Sequence, residues 1–474
     1  MSRLFRKYFW NHISLFIILL GVILFNFSQH NIPNLINYAG DTWDYQTLAV
    51  NFMKGHGYQS GLCETYETYK FYKTSDPSYT KDWGEYMFYR TPGYPLFLIL
   101  IYSISGIQPY AVFISQIVFL AIALSSLPWF FGKVLNFGWI GIVSGILSVY
   151  YQLNTKIYFK MNAAELYTEV CMMLGYYFFI LVSLWALQNF SKKKMFILGV
   201  SCGTNLLIKG TFIFVPLLLF IYLLVSIEYW KDKLKLCCLY ILGIILIVSP
   251  WTIYATYHSK KLVILSTQGS VVLLDGNNEL SLKSGKWEPT HTYYQQNRFK
   301  GETTLHKYLI FLKEHRTQII PMVLKKISII LYDLPFPIFI FGFLIILMLS
   351  ILKNYKILFF QKLYFSIIIF IPLSFIFLHS ISFNSKHVWL FFPLFILSFF
   401  MKSWQYSLNT FIPFLLLYIN IFLLTIILFA ERRFFTPFNI ILMPFNFLFP
   451  FIILKALYHE KFKEKIIRII RNRH

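Results

Sequence analysis

Long apolar runs recur along this chain from residues 11–27 onward, and most are separated by only short polar stretches. A helix needs about 20 apolar residues to cross a hydrocarbon core of ~30 Å. Inside lipid, every backbone N–H and C=O must also be satisfied within the spanning element. The pattern therefore predicts an all-α polytopic membrane protein. Charge agrees, because 13% of the residues are charged where a soluble domain carries about 25%.

The basic residues fix the expected orientation. Short cytoplasmic loops collect Lys and Arg, so Arg3, Arg6 and Lys7 place the N-terminus inside. No small-residue cleavage site follows at Ser28–Pro33, which reads as an uncleaved first span. Residues 94–104 are apolar but too few to cross, and they read as an interfacial or re-entrant segment. With that choice, Lys133, Lys192–Lys194, Lys231–Lys235, Lys353–Lys356, Lys402 and the basic tail at 461–473 all fall inside. Counting 94–104 as a span would push Lys192–Lys194 outside.

The expected spans are 12–29, 109–131, 138–153, 166–189, 195–209, 211–228, 236–253, 336–352, 363–379, 388–401, 409–429 and 438–455. That makes about twelve, in a single transmembrane domain over residues 1–474 with both termini cytoplasmic. Two large loops face outside, residues 30–108 and 254–335. In the second, 262–274 has strand-like Val, Ile and Leu content, 275–278 is turn-rich, and 302–314 has the pattern of an amphipathic helix.

The net charge of +23 does not point to nucleic acid. The basic residues occupy loops between spans, where they orient helices and meet anionic headgroups. Cys63 alone of the five cysteines falls in an external loop, so no external disulfide framework is expected. No His/Cys cluster has zinc spacing, and no metal or other cofactor is predicted. Of the 20 Asp and Glu, Glu228, Asp232, Glu460 and Glu464 fall inside, and the rest lie in external loops or at outer span ends. A transporter usually carries ionisable groups near mid-bilayer. Here the span interiors are almost free of charge, so any chemistry belongs at the outer face.

The densest candidate segment is 38–58. Tyr45, Leu48, Ala49 and Phe52 form the stripe of a helix lying on the membrane, ended by Gly55 and Gly57. Asp41 and Asp44 stand at its start. Acids there cap a helix or complement its dipole; a carboxylate held at the membrane face can equally take a proton from a hydroxyl. Glu165 and Glu169, four apart, share one helical face at the outer start of a span. Lys209 at an outer span end either snorkels to the interface or meets an anion. Tyr66, Tyr69, Tyr72, Trp83 and Tyr86 read as ordinary interfacial aromatics.

The order Gly40-Asp41-x-x-x-Tyr45, Leu48-Ala49-x-Asn51-Phe52, Gly55-x-Gly57-Tyr58 and Arg90-Thr91-Pro92-Gly93-Tyr94-Pro95 resembles bacterial glycosyltransferase family 39. That family includes relatives of protein O-mannosyltransferases and of lipid A aminoarabinose transferase, with the GT-C fold. Pro250-Trp251-Thr252-Ile253, Leu265-Ser266-Thr267-Gln268-Gly269 and Gly276-Asn277-Asn278 continue the similarity, with Tyr254-Ala255 where the family commonly has Arg-Asn. His379–Pro393 is similar to the family's late external loop, with Lys386 and His387 in place of its usual Arg-Tyr pattern.

The resemblance implies an inverting transfer of sugar from a polyprenyl-phosphate donor to an envelope lipid, glycan or protein acceptor at the outer face of the plasma membrane. It assigns Asp41 as catalytic base, the spacing to Tyr45 favouring it over Asp44. Arg90, Lys209 and Lys386 become contacts to the donor phosphate. Asp44, Glu165 and Glu169 become supporting acids, with the choice between the two glutamates left open. A flippase or transporter for a lipid-linked sugar is the alternative from another class, and a non-catalytic partner in an envelope complex is a third. Specificity for sugar and acceptor is expected within 58–90 and 275–316, where no motif guides the reading.

Overall fold

The computed structural model describes residues 3–28, 41–59, 87–155, 167–227, 229–288, 294, 296, 299–333, 410–429 and short pieces between 437 and 452. The described residues are predominantly helical, with no β-strand among them. The expected spans 336–352, 363–379 and 388–401 lie outside them, as do Glu165, Lys386, Cys63 and the loop aromatics from Tyr66 to Tyr86.

The helices are α1 (Arg3–Ser28), α2 (Asp41–Met53), α3 (Gly93–Ser105), α4 (Pro109–Trp129, continued by a π-turn Phe130–Val134), α5 (Trp139–Thr155), α6 (Glu169–Gln188) and α7 (Lys192–Ile208). A 3-10 turn, Gly210–Phe212, leads into α8 (Phe214–Ser226) and α9 (Trp230–Ser259). Then come α10 (Gln268–Asp275), α11 (Glu279–Ser284), α12 (Thr304–Glu314), α13 (Arg316–Asp333) and α14 (Ile412–Ile427). Among the described residues, three stretches are long and apolar enough to cross a membrane: Pro109–Val134, Glu169–Gln188 and Trp230–Ser259. Shorter apolar helices occupy 13–28, 93–105, 210–226 and 412–427. At 1.5 Å per residue α3 reaches only about 20 Å, less than the ~30 Å core, in keeping with the short segment expected there.

Glycines set how closely these helices approach. Between apolar helices in lipid, association rests on close packing, so small residues line the contacts. A Cβ on Gly199 would stand 2.0 Å from the Tyr240 carbonyl oxygen, and one on Gly243 would stand 2.4 Å from that of Phe196. Backbone therefore meets backbone where α7 crosses α9. Gly141 and Gly145 do the same for α5 against the end of α4, at Phe131 and Pro128.

Two expectations change here. α2 does not rest on a surface by a single stripe. Tyr45, Leu48, Ala49 and Val50 are all buried, while Phe52 is exposed. Tyr45 and Ala49 pack with Tyr94 and Leu98 of α3, and Leu48 packs with Trp251 and Ala255 of α9. Helices on both sides bury α2, and its polar Gln46 is satisfied by the Tyr102 hydroxyl. The second difference is α10, a helix over much of the stretch that read as strand. Its apolar Val271, Val272, Leu273 and Leu274 fit either geometry, and packing against α12 decides for the helix. The turn at 276–278 and the helix after Thr303 occur as expected.

Candidate functional site

Two glycines bring the site together. Gly55 and Gly57 both take positive φ (83° and 84°), a backbone state that costs glycine little. They turn the chain after α2 so that the Tyr58 hydroxyl donates to the carbonyls of Arg90 (3.1 Å) and Thr91 (3.2 Å). The Tyr58 backbone N–H donates in turn to the Tyr254 hydroxyl at 3.0 Å. From the other side, the Thr91 hydroxyl donates to the Ile208 carbonyl at 3.1 Å. A Cβ on Gly93 would come within 2.6 Å of the Ile208 backbone. The segment carrying Arg90 is thereby fixed between α2, α9 and the end of α7, one residue before Lys209.

Arg90 is 5% exposed and bridges both acids of α2. Its Nη2 donates to Asp41 Oδ1 at 2.5 Å and to Asp44 Oδ2 at 2.7 Å, and its Nε donates to Asp44 Oδ2 at 2.9 Å. The guanidinium also lies 4.9 Å from the Tyr89 ring centroid and 5.4 Å from that of Tyr45, within reach of a cation–π contact. Burial disfavours its charge, but Tyr45, Asp41 and Asp44 more than offset this and hold its pKa above the ordinary value. Burial pushes the Asp44 carboxyl above its usual range, against the pull of Arg90. These bonds use the Nε hydrogen and both Nη2 hydrogens; among the described residues, the two on Nη1 have no such commitment.

A second ionic pair stands nearby. Lys209 Nζ donates to the Thr168 hydroxyl at 2.9 Å and lies 3.6 Å from Glu169 Oε1. The Lys209 side chain keeps 17% exposure against 6% for Arg90, so it is the more reachable cation.

Asp41, Tyr89, Arg90 and Lys209 line one cavity of about 490 Å³. Ser266 and Gln268 add polar groups to the lining, and Trp287 lies on it as well. The remaining surface is mostly apolar, from Ile213 and Phe214 at the start of α8 and from Leu424 to Phe429 at the end of α14. The structure thus brings together Asp41, Asp44, Arg90, Lys209 and Glu169. Glu169 meets Lys209 from behind, without lining the cavity.

The sequence alone assigned no role to Tyr89, Thr168, Gln268 or Trp287. Thr168 had a signal in the Thr-Glu dipeptide. Trp287 had none beyond its residue type. Asp41 begins α2, yet its carboxylate is engaged by Arg90 and faces the cavity. Among the described residues no group of three His, Cys, Asp or Glu side chains stands close enough to hold a metal ion.

The polar groups of this cavity can hold an anion against two cations and present a carboxylate to a neighbouring hydroxyl. Comparison with family models, with curated proteins and with solved structures finds no match to this chain.

Proposed function

We propose that this protein is an integral-membrane glycosyltransferase that moves a sugar from a polyprenyl-phosphate donor to an envelope acceptor, in a GT-C-like arrangement of about twelve spans with both termini cytoplasmic. The observation that carries the reading is the cavity itself. It gathers Asp41, Arg90 and Lys209, drawn from three separate parts of the chain, against an apolar wall made by α8 and α14. A ligand with a phosphate head and a hydrocarbon tail matches that division.

In the proposed reaction the acceptor oxygen attacks the anomeric carbon, and the bond from that carbon to the phosphate oxygen breaks. The electron pair leaves with the phosphate, and the hydroxyl proton passes to Asp41. Attack from the face opposite the leaving group inverts the centre. A phosphate is already a good leaving group, so no general acid is needed. Lys209 and the Nη1 side of Arg90 meet the growing charge. Arg90 also keeps the Asp41 and Asp44 carboxylates from repelling the donor, a task one bidentate guanidinium performs better than a lysine.

The test is transfer of radiolabel from an undecaprenyl-phosphate sugar by the full-length protein in detergent, with envelope extract as acceptor. Label is expected to move from the carrier to the extract. If label stays on every carrier tested, while protein reconstituted in vesicles moves the carrier between leaflets, the transporter reading replaces this one.

A further inference from the structure

Just after α11, the chain places Trp287 on the lining of the same cavity. This residue lines the cavity and keeps 47% exposure. An indole so exposed is usually free to rotate, but this one is fixed at several points. Its Nε1 donates to Asp275 Oδ2 at 3.1 Å, and Asp275 is itself 5% exposed. The next residue, Glu288, donates its backbone N–H to the Asp275 carbonyl at 3.1 Å. The Asn278 amide nitrogen donates to the Glu288 carbonyl at 2.9 Å and to the Asp275 carbonyl at 3.1 Å. The same Asn278 caps α11 through its side-chain oxygen, which accepts from Leu280 and Ser281. The turn that joins α10 to α11 therefore holds both the indole and the residue that follows it.

A half-exposed indole held by Asp275, in a cavity whose lining also includes Ser266 and Gln268, presents a flat apolar surface among polar groups. A pyranose has the same division: a face of C–H bonds and a rim of hydroxyls. An ordered aromatic surface of this kind binds through its large area at little conformational cost, while its polar edge is satisfied elsewhere. The charged wall of Asp41, Arg90 and Lys209 suits a phosphate and a reacting hydroxyl, and the apolar end of α14 suits hydrocarbon. Neither suits a sugar face.

We propose that Trp287 is the platform on which the donor sugar stacks, held in place by Asp275 and Asn278 as positioning residues. This rests on the donor class proposed above and adds the part of the site that recognises the sugar rather than its carrier.

The test separates sugar from carrier. Full-length wild-type protein, W287A and W287F are titrated in detergent with undecaprenyl phosphate and, separately, with undecaprenyl-phosphate hexose. W287A is expected to bind the hexose carrier about tenfold more weakly than wild type (~1.4 kcal/mol) and to bind undecaprenyl phosphate unchanged. W287F, which keeps a stacking ring but loses the bond to Asp275, is expected to fall between them. Equal losses for both carriers, or no loss for either, would overturn the platform. A wild-type protein that binds neither carrier would instead remove the donor class beneath it.

Discussion

Arg90 and Lys326 are both buried cations held by different means: Arg90 lines the cavity, and Lys326 grips the end of α14, whose Leu428 also lines it. Arg90 is surrounded by carboxylates and aromatic rings, and its charge is permanent. Lys326 is fully buried, and among the described residues its bonds go only to neutral oxygens. Its Nζ donates to Leu428 O at 2.7 Å, to Asn277 Oδ1 at 3.2 Å and to Ile426 O at 3.5 Å. Asn277 adds a bond to Ile427 O at 2.8 Å. Together they cap the last carbonyls of α14, which a helix leaves unpaired and slightly negative. Burial pulls the Lys326 pKa down to about 7. A lysine whose role is to cap carbonyls can lose its proton and still donate, whereas a guanidinium that must hold two acids and face a phosphate cannot be neutralised. The permanent charge stands where anion chemistry is proposed, and the labile one stands where only shape is needed.

That contrast can be broken most severely at Arg90. R90M strands two acids near each other out of water, and removing one partner of a buried ion pair typically costs about 3–5 kcal/mol. Thermal unfolding in detergent is expected to show a large loss, partly restored by adding D44N. An R90M protein as stable as wild type would show that the pairing carries no weight. Next in size is G276A. Its Cβ would lie 2.0 Å from Leu428 O, so the turn must move off the end of α14, at about 1–3 kcal/mol.

The smallest effect sharpens the comparison by pH. The folded pKa of Lys326 is depressed to about 7, so between that value and the ordinary lysine value near ~10 the unfolded chain holds a proton that the folded one lacks. Stability then rises with pH across this window and is lost as pH falls through about 7. K326M lacks this term, so its melting temperature relative to wild type is expected to decline from pH 7 to pH 9. Parallel curves would contradict the buried, titrating amine.

Much of the helical order was legible because apolar run length is a strong signal, and residues 109–134, 169–188 and 230–259 stand close to where the sequence places them. The meeting of Asp41, Arg90 and Lys209 was legible only through motif order, since nothing local in Arg90-Thr91-Pro92-Gly93 reveals that Gly93 must press on Ile208. The burial of α2 on both sides was hidden because Thr42, Gln46, Thr47 and Asn51 look like a solvent face. They are instead buried polar groups. Lys326 escaped for a similar reason, since one of two adjacent lysines in an external loop reads as exposed. The pairs Gly141/Gly145 and Gly199/Gly203 did carry a readable signal, four residues apart in apolar helices, and the contacts at Pro128 and Tyr240 follow from it.

The proposed transfer requires Asp41 to receive the acceptor's proton, and D41N tests this directly. The asparagine keeps the shape and an oxygen for Arg90 but is no base. Radiolabel transfer from the polyprenyl-phosphate sugar is expected to fall by about a hundredfold or more, with the melting temperature and carrier binding close to wild type. Transfer at the wild-type rate by folded, carrier-binding D41N protein would contradict the assignment.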